Sequence, residues 1–321
     1  MKCNSVLRLN LLSSFFVFCN VAGAQSMARY TLDTWQDNDI AETLDHPIIE
    51  LGGHVNNDSK DTQMFHWDSY GRVRINRDDP DAPFFGYRVL FIDASTHSPI
   101  IRSTMDEFDL AMGLHLGEVG DWDLSTMLGA GYSSTHPFVN STGFFGIGHL
   151  VAERHYDDNN SFLLSVDYEG NGGLLPDIPM PGFAFLHHED KLDFMLGYPM
   201  SSIHYRPMDK LEITAQYSVP YTAELDVEYR LAKHFGLYSD SGDFFQGFVT
   251  RTGDIRNRQF FQMLRTEMGV RFIFDPWVDA SLGIGYAFDQ GYSKGFDVRD
   301  LTPVTHISNE PYVGIMVRGR F

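Results

Sequence analysis

Apolar and polar residues alternate along much of the chain, and this alternation predicts the fold. In "KLEITAQYSV" and "AELDVEYRLA", apolar side chains occupy every second position and polar side chains lie between them. A period of two puts alternate side chains on opposite faces of an extended strand. Pro220 and Tyr221 separate the two segments. We therefore predict a β-hairpin here, with one apolar face and one polar face.

The same pattern recurs in "EFDLAMGLHL", "WDLSTMLGAGY", "MLRTEMGVRFIF" and "WVDASLGIGYAF". A membrane can solvate one face of such a strand while water solvates the other. Weaker strand candidates lie between these segments, and some of them are expected to form loop hairpins. We predict an all-β fold, a transmembrane antiparallel up-and-down β-barrel of about 12–14 strands.

The first residues have the features of an exported protein. In "MKCNSVLRLNLLSSFFVFCNVAGAQS", Lys2 and Arg8 precede an apolar run that is too short to span a bilayer. A small-x-small site follows the run and ends at Ala24. This order is typical of a secretory signal peptide. We predict a leader at 1–24, an acidic N-terminal arm at 25–46 and the barrel at 47–321.

Composition narrows the function classes. The predicted leader contains Cys3 and Cys19, the two cysteines of the sequence, so the mature chain has no thiol for disulfides, metal ligation or catalysis. Losing two basic residues makes the net charge of −19 still more negative. Nucleic acid is therefore excluded as a partner. Aromatic residues make up 14% of the chain, and export with no apolar run of helical length predicts a Gram-negative outer-membrane location, with its lipids as partners.

The final residues, "EPYVGIMVRGRF", alternate and end on an aromatic side chain. They resemble the C-terminal signal that the bacterial barrel-assembly machinery recognises, with Gly319 as a departure from the usual larger apolar residue. The resemblance implies that this machinery is a partner. The residues that would carry the signal are Val313, Ile315, Val317 and Phe321.

The central run from Leu196 to Phe248, with Gly-x-Pro and Tyr-x-Pro followed by paired alternating strands, is similar to a family of uncharacterised outer-membrane β-barrels of Gram-negative bacteria. The resemblance covers about a sixth of the chain. It implies the barrel fold and brings no catalytic residues with it.

Charged residues on the polar faces are the main functional clue. We predict a lumen-facing set of Glu212, Glu224, Asp226, Glu228, Arg230, Arg265, Glu267, Arg271 and Asp279. Carboxylates that line a pore favour cations. Alternatively, opposite charges pair across strands and plug the lumen.

Two clusters of potential metal ligands have simpler structural explanations. His187, His188, Glu189 and Asp190 could bind a metal or support hydrolysis, but a tight turn points neighbouring side chains to opposite faces. "NRDDPDAP" is expected to be a solvated outer loop, and tight turns such as Glu118–Asp121 are expected on the periplasmic side. We predict no cofactor, no metal and no catalytic residue.

These observations favour a passive pore for small solutes or ions with a cation preference. A non-conducting structural barrel, or one that presents adhesive surface loops, is the alternative. An outer-membrane hydrolase is a second alternative, and it would need Ser, His and carboxylate groups that converge at the rim.

Overall fold

The computed structural model describes residues 41–52, 63–76, 79, 81–95, 104–219, 222–274 and 277–320. The predicted leader, residues 25–40 of the predicted arm, Asp78 and Phe321 lie outside the described residues. No helix in the described part of the chain is long and apolar enough to cross a membrane.

The described residues form seventeen strands and one short 3-10 turn, Ser141–Gly143. In chain order the strands are β1 (Ala41–Glu50), β2 (Gln63–Arg74), β3 (Phe84–Ser95), β4 (Thr104–Val119), β5 (Trp122–Ser134), β6 (Phe144–His155), β7 (Asn160–Glu169), β8 (Met180–Glu189), β9 (Leu192–Tyr198), β10 (Met200–Met208), β11 (Leu211–Ser218), β12 (Thr222–Ala232), β13 (Phe235–Phe248), β14 (Arg258–Ile273), β15 (Val278–Gly295), β16 (Thr302–Ile307) and β17 (Glu310–Arg320).

From β1 to β16 each strand pairs antiparallel with the next strand in the chain, β17 pairs with β15, and β1 pairs with both β2 and β17. The sheet therefore closes on itself. β16 and β17 lie end to end along β15, since Tyr292 pairs with Thr305 and Leu282 pairs with Ile315. They act as one strand of the wall, so the barrel has 16 strand positions.

The predicted class, an antiparallel up-and-down barrel, is confirmed, and the hairpin predicted from alternation is β11–β12, with Ile213 opposite Val227. The barrel has more strands than the 12–14 expected. Strands such as β3 alternate weakly because part of their inner face is apolar: Leu90 and Ile92 point inward and are fully buried. Such strands were among the weaker candidates in the sequence, some of which were expected to form loop hairpins.

The outer face of the barrel is apolar. Leu110, Leu196 and Ile284 are 69%, 66% and 68% exposed, whereas Glu267 and Ser281, on the opposite face, are almost completely buried. Apolar residues exposed all round a closed sheet are the surface that a bilayer requires.

Connections differ at the two ends of the barrel. Two-residue turns join β4–β5, β8–β9, β10–β11 and β12–β13, and we call this the turn end and its opposite the loop end. The segment "NRDDPDAP" connects β2 to β3 and so lies at the turn end. The sequence placed this segment at the end opposite the tight turns, and that arrangement was wrong, because acidic and proline-rich composition does not determine which end a connection occupies.

The chain enters the wall at the turn end. β1 begins at Ala41, so residues 41–46, which the sequence assigned to the N-terminal arm, pair within the barrel. Ile315 and Val317, from the predicted assembly signal, lie in β17 on the outer face and are 43% and 40% exposed.

Candidate functional site

The loop half of the lumen is divided by a contact between two distant strands. The pairing of β13 with β12 stops at Gly242, and the last residues of β13 approach the end of β5 instead. The Thr135 amide donates to the Val249 carbonyl at 2.9 Å, and the Ser133 hydroxyl donates to the Gly247 carbonyl at 2.9 Å. We call this contact the seam.

The seam creates two compartments. Compartment A is enclosed by β1–β5 and β13–β17, and compartment B by β6–β12. The loop half of compartment A is filled by buried side chains that are at most 3% exposed, including Met105, Phe244, Phe248, Phe261 and Tyr292. These residues belong to strands from opposite sides of the compartment. No water-filled route therefore passes through this packed apolar layer.

Below the apolar layer, compartment A contains buried ion pairs. The Arg88 guanidinium, fully buried, lies 3.3 Å from Asp68 and 3.2 Å from Glu107. Arg265 lies 3.4 Å from Asp240. Buried charges are tolerated only when they are paired, and these pairs link neighbouring strands across the inner face.

Nearer the turn end, glycines make room for large inner side chains. The Tyr238 hydroxyl donates to Glu267, and His46 Nε2 lies 3.4 Å from the same carboxylate. Gly283 and Gly314 face this group, and a Cβ on either would collide with it. The three polar side chains are 1–4% exposed, so this layer is also closed.

The turn end of the β13–β17 wall carries a ladder of ion pairs. Arg271 contacts Glu228 and lies 3.6 Å from Asp279. Arg318 lies 3.1 Å from Asp279 and 3.9 Å from Glu228. Two guanidinium groups therefore neutralise two carboxylates.

This ladder borders a cavity of about 660 Å³ at the turn end, which we call the vestibule. Its charged lining consists of Glu212, Glu228, Arg230, Lys233, Arg271, Asp279, Arg318 and Arg320, with His234 beside them. Five Lys and Arg residues thus face three carboxylates. The vestibule carries an excess of positive charge in a strongly acidic protein.

The nine residues predicted to face the lumen lie on the face opposite the exposed apolar side chains. Five of them, Glu212, Glu228, Arg230, Arg271 and Asp279, line the vestibule. Arg265 and Glu267 belong to the buried layers above it. Glu224 and Asp226 lie on β12, opposite Gly242 and Asp240 of β13. Pairing of opposite charges, the alternative considered from the sequence, describes much of this set.

The loop between β7 and β8 forms hydrogen bonds with several strands at the loop end. Asn171 is 2% exposed, and its amide donates to Glu107 at 2.6 Å and to the Gly247 carbonyl at 3.0 Å. Gln246 donates to the same Glu107 oxygen at 2.6 Å, and Arg258 donates to the Asn171 side chain at 2.9 Å. Asn171 therefore joins three parts of the barrel that are distant in sequence.

The β7–β8 loop also docks on the β15–β16 loop. The Val298 amide donates to the Gly173 carbonyl at 2.9 Å, and the Leu175 amide donates to Asp297 at 3.2 Å. Burial acts to raise the pKa of Asp297, but hydrogen bonds from Arg299 and from the Leu175 amide outweigh it and hold the pKa below its ordinary value. The carboxylate that receives the loop is thus kept ionised.

Compartment B retains open space. At its turn end lies a cavity of about 290 Å³ lined by Glu153, Asp158, Asp193, His188 and His204 among others, with no Lys or Arg. We call it the acidic cavity. Its inner end reaches a buried apolar cluster, which we call the apolar girdle: Val151, Leu163, Ala184, Met195 and Met200, with Leu186 packed against them.

Beyond the apolar girdle lies a second, smaller void. Its volume is about 50 Å³, and it is bordered by Asp167 and Glu169 of β7 and by the β7–β8 loop from Gly172 to Leu175. Compartment B thus has a cavity towards each end, with apolar side chains between the two cavities. The β7–β8 loop covers the cavity at the loop end, which we call the outer cavity.

The two histidines of the histidine-rich segment contact different side chains. His187 Nδ1 lies 2.8 Å from the Asn160 side chain, whereas His188 Nδ1 lies 2.5 Å from Asp193. The two imidazoles therefore take different partners. Among the described residues, no group of three or more His, Cys, Asp or Glu side chains is arranged to hold a metal ion.

The sequence alone did not single out several residues that shape the lumen. Asn171 lies within "GNGGLLPDIP", which alternation predicts only as a loop, and the seam joins residues 114 or 115 positions apart. Gly283 and Gly314 occupy inner positions of alternating strands. In the sequence, the absence of a side chain at these positions was the only indication that a large inner side chain fills the space.

No protein-family model matches the chain, and no curated protein matches it. The family resemblance of Leu196–Phe248 therefore remains a prediction.

Among solved structures, the chain is similar to a bacterial polysaccharide outer membrane secretin, at 8% identity over 88% of this chain and 99% of that chain with a TM-score of 0.40. A Pseudomonas aeruginosa FadL homologue matches at 10% identity, with 88% and 91% coverage and a TM-score of 0.41. Acinetobacter baumannii Omp33 matches at 10% identity, with 89% and 100% coverage and a TM-score of 0.36. At such identities the likeness concerns the fold alone.

Proposed function

We propose that this protein is an outer-membrane channel for small solutes, with its route through compartment B. The observation that supports this route is the contrast between the two compartments. Compartment A is filled by buried apolar and ion-paired layers, whereas compartment B has cavities of about 290 and 50 Å³ towards its two ends. The apolar outer face of the barrel supports the membrane location.

The apolar girdle between the two cavities would act as the constriction of the route. A ring of apolar side chains in a narrow passage excludes water and so blocks ions until it widens. The docked β7–β8 loop covers the outer cavity. The described arrangement is therefore the closed state of the proposed channel.

A cation preference is part of the proposal, and we assign it to the acidic cavity. Its carboxylates belong to Glu153, Asp158 and Asp193, and no Lys or Arg lines it. The lumenal carboxylates expected from the sequence are less suited to this task, because Glu228 and Asp279 are already paired with arginines. A carboxylate-lined passage attracts cations and repels anions.

Cysteine substitution tests the route. The predicted mature chain has no cysteine, so Thr214→Cys introduces a single thiol into the acidic cavity and Lys233→Cys introduces one into the vestibule. Both variants would be refolded and studied in planar bilayers before and after addition of a small thiol-reactive reagent.

We expect the reagent to reduce the conductance of Thr214→Cys and to leave that of Lys233→Cys unchanged. Heat-modifiable mobility on gels checks that both variants are folded, and mass spectrometry checks that both thiols react. Block of Lys233→Cys alone, or equal block of the two variants, would contradict the proposed route.

A non-conducting structural barrel is the second candidate, and the filled compartment A together with the seam favours it. The same bilayer experiment separates the two. Absence of current from folded protein, including a variant whose β7–β8 loop is undocked, would support the structural role over the channel.

Recognition of β17 by the barrel-assembly machinery is also proposed. Ile315 and Val317 present apolar side chains on the outer face of this strand, which pairs with β1 where the sheet closes. Deletion of Phe321 is expected to lower the amount of folded protein in the outer membrane, and an unchanged amount would count against this role.

A further inference from the structure

The vestibule has features of a binding site that the channel proposal does not use. It is a cavity of about 660 Å³, within the size range of small-molecule sites. On the β13–β17 side it ends at the buried layer of Tyr238, Glu267 and His46, which are 1–4% exposed. A solute that enters here meets a packed wall towards compartment A.

The positive charge of the vestibule is not fully compensated. Arg271 and Arg318 are balanced by Glu228 and Asp279, and Glu212 accepts a hydrogen bond from His204 at 3.0 Å. Arg230 and Lys233 line the same cavity and form no ion pair with any residue in the described part of the chain. Two cationic side chains therefore remain for a ligand.

The floor of the vestibule is preorganised. Arg271 is 2% exposed and is held by Ser281 at 3.1 Å and by the ring of Tyr238 as well as by its carboxylates. Trp277 lies at the rim and is 43% exposed. Guanidinium and ammonium donors around one cavity suit the oxygen atoms of phosphate and carboxylate groups.

We infer that the vestibule binds a small soluble anion that carries more than one phosphate or carboxylate group, with Arg230 and Lys233 as the ligand-binding cations. A multivalent anion offers several charged oxygen atoms to these two side chains, whereas a chloride ion offers a single charge. The acidic cavity, separated from the vestibule by the contact between His204 and Glu212, repels such a ligand. The two cavities of the turn end would then select opposite charges.

Isothermal titration of the refolded mature chain in a non-ionic detergent, with inorganic pyrophosphate as the probe, tests this inference. The test variant is Arg230→Gln/Lys233→Gln. The matched control is Arg154→Gln/Lys191→Gln, which removes the same charge at the same end from residues that do not line the vestibule. Arg230, Lys233 and Lys191 are exposed and Arg154 is half-buried, so folding should be retained, and Lys233→Gln alone serves if the double variant fails to fold.

We expect the test variant to bind pyrophosphate about 10-fold more weakly, as two exposed charge contacts would require, and the control to stay within about 2-fold of the unmodified chain. Added KCl should weaken binding in the unmodified chain. Absence of binding, or an equal loss in both double variants, would overturn the inference. Because titration does not require current, a silent bilayer would remove the channel proposal and leave this one standing.

Discussion

Gly314 faces the lumen against the carboxylate of Glu267, and a Cβ there would lie 2.8 Å from the Glu267 Cδ. That carboxylate is held by Tyr238 and His46 and cannot withdraw. We expect Gly314→Ala to lower the free energy of unfolding by about 1–3 kcal/mol, the usual effect of overpacking a filled interior. Urea unfolding in lipid vesicles measures it.

Gly148→Ala is the control for Gly314→Ala. A Cβ at Gly148 would have Leu128 Cδ2 as its nearest neighbour, at 3.9 Å, which is ordinary contact. The free energy of unfolding should therefore stay the same or rise slightly, because alanine restricts the unfolded chain more than glycine does. A loss equal to that of Gly314→Ala would mean that the inner layer is looser than described.

Arg271 belongs to the residues that the sequence placed in the lumen, and the structure adds the reason for its position. It is 2% exposed between Glu228 and Asp279. We expect Arg271→Met to cost about 3–5 kcal/mol of unfolding free energy, because it removes one of the two cations of the ladder and leaves two carboxylates with Arg318 alone. Neutralising both carboxylates in the same chain, with Glu228→Gln and Asp279→Asn, should recover part of the loss.

An exposed pair provides the comparison for Arg271. Arg154 lies 2.8 Å from Asp121 with both side chains largely solvated, so Arg154→Met is expected to cost less than about 1 kcal/mol. Similar costs for the two substitutions, measured in the same unfolding experiment, would show that the ladder is solvated in the protein.

Among the elements, the β7–β8 loop contacts the β15–β16 loop through two hydrogen bonds, and one of them depends on the Asp297 carboxylate. Asp297 receives the Leu175 amide at 3.2 Å and the Arg299 guanidinium at 2.9 Å. Asp297→Ala is expected to release the β7–β8 loop, and hydrogen exchange of residues 170–179 should then accelerate. Asp177→Asn, an exposed position in the same loop, is the control and should leave exchange unchanged.

The pH dependence of this contact follows from the lowered pKa of Asp297. A carboxyl whose pKa is lower in the folded protein contributes stability above its ordinary pKa of about 3.9, and loses it as the pH falls through the lower folded value. Docking of the loop should therefore be the same at pH 7 and pH 5. Faster exchange at pH 5, after correction for the intrinsic rate, would contradict the assigned role of Asp297.

Sequence patterns and the structure agree best where a strand has a polar inner face. The β11–β12 hairpin was predictable because Glu212 and Thr214 alternate with Leu211 and Ile213. Alternation fails in β3, where inner and outer faces are both apolar. The seam could not be predicted, because it depends on where β13 leaves β12, and that departure is a property of the closed barrel and not of either strand.

For the whole molecule, the net charge does not reveal which ions the interior selects. A formal charge of −19 does not by itself make the interior cation-selective, because exposed charges are screened over about 8 Å at physiological ionic strength. Only the charges that line the route can select ions. The vestibule has an excess of Lys and Arg over carboxylates and the acidic cavity contains no Lys or Arg, so selectivity depends on which of the two cavities carries the current.

The reversal potential under a KCl gradient distinguishes these cases. With the route in compartment B, we expect a cation-selective potential in the unmodified protein that shifts towards zero in Glu153→Gln/Asp193→Asn, because two carboxylates of the acidic cavity are neutralised. Asp190→Asn/Asp209→Asn removes the same charge from two turns at the same end, outside the cavity, and should leave the potential unchanged. An anion-selective potential, or equal shifts in the two variants, would place the current in the vestibule or at the surface, and compartment B would then not be the route.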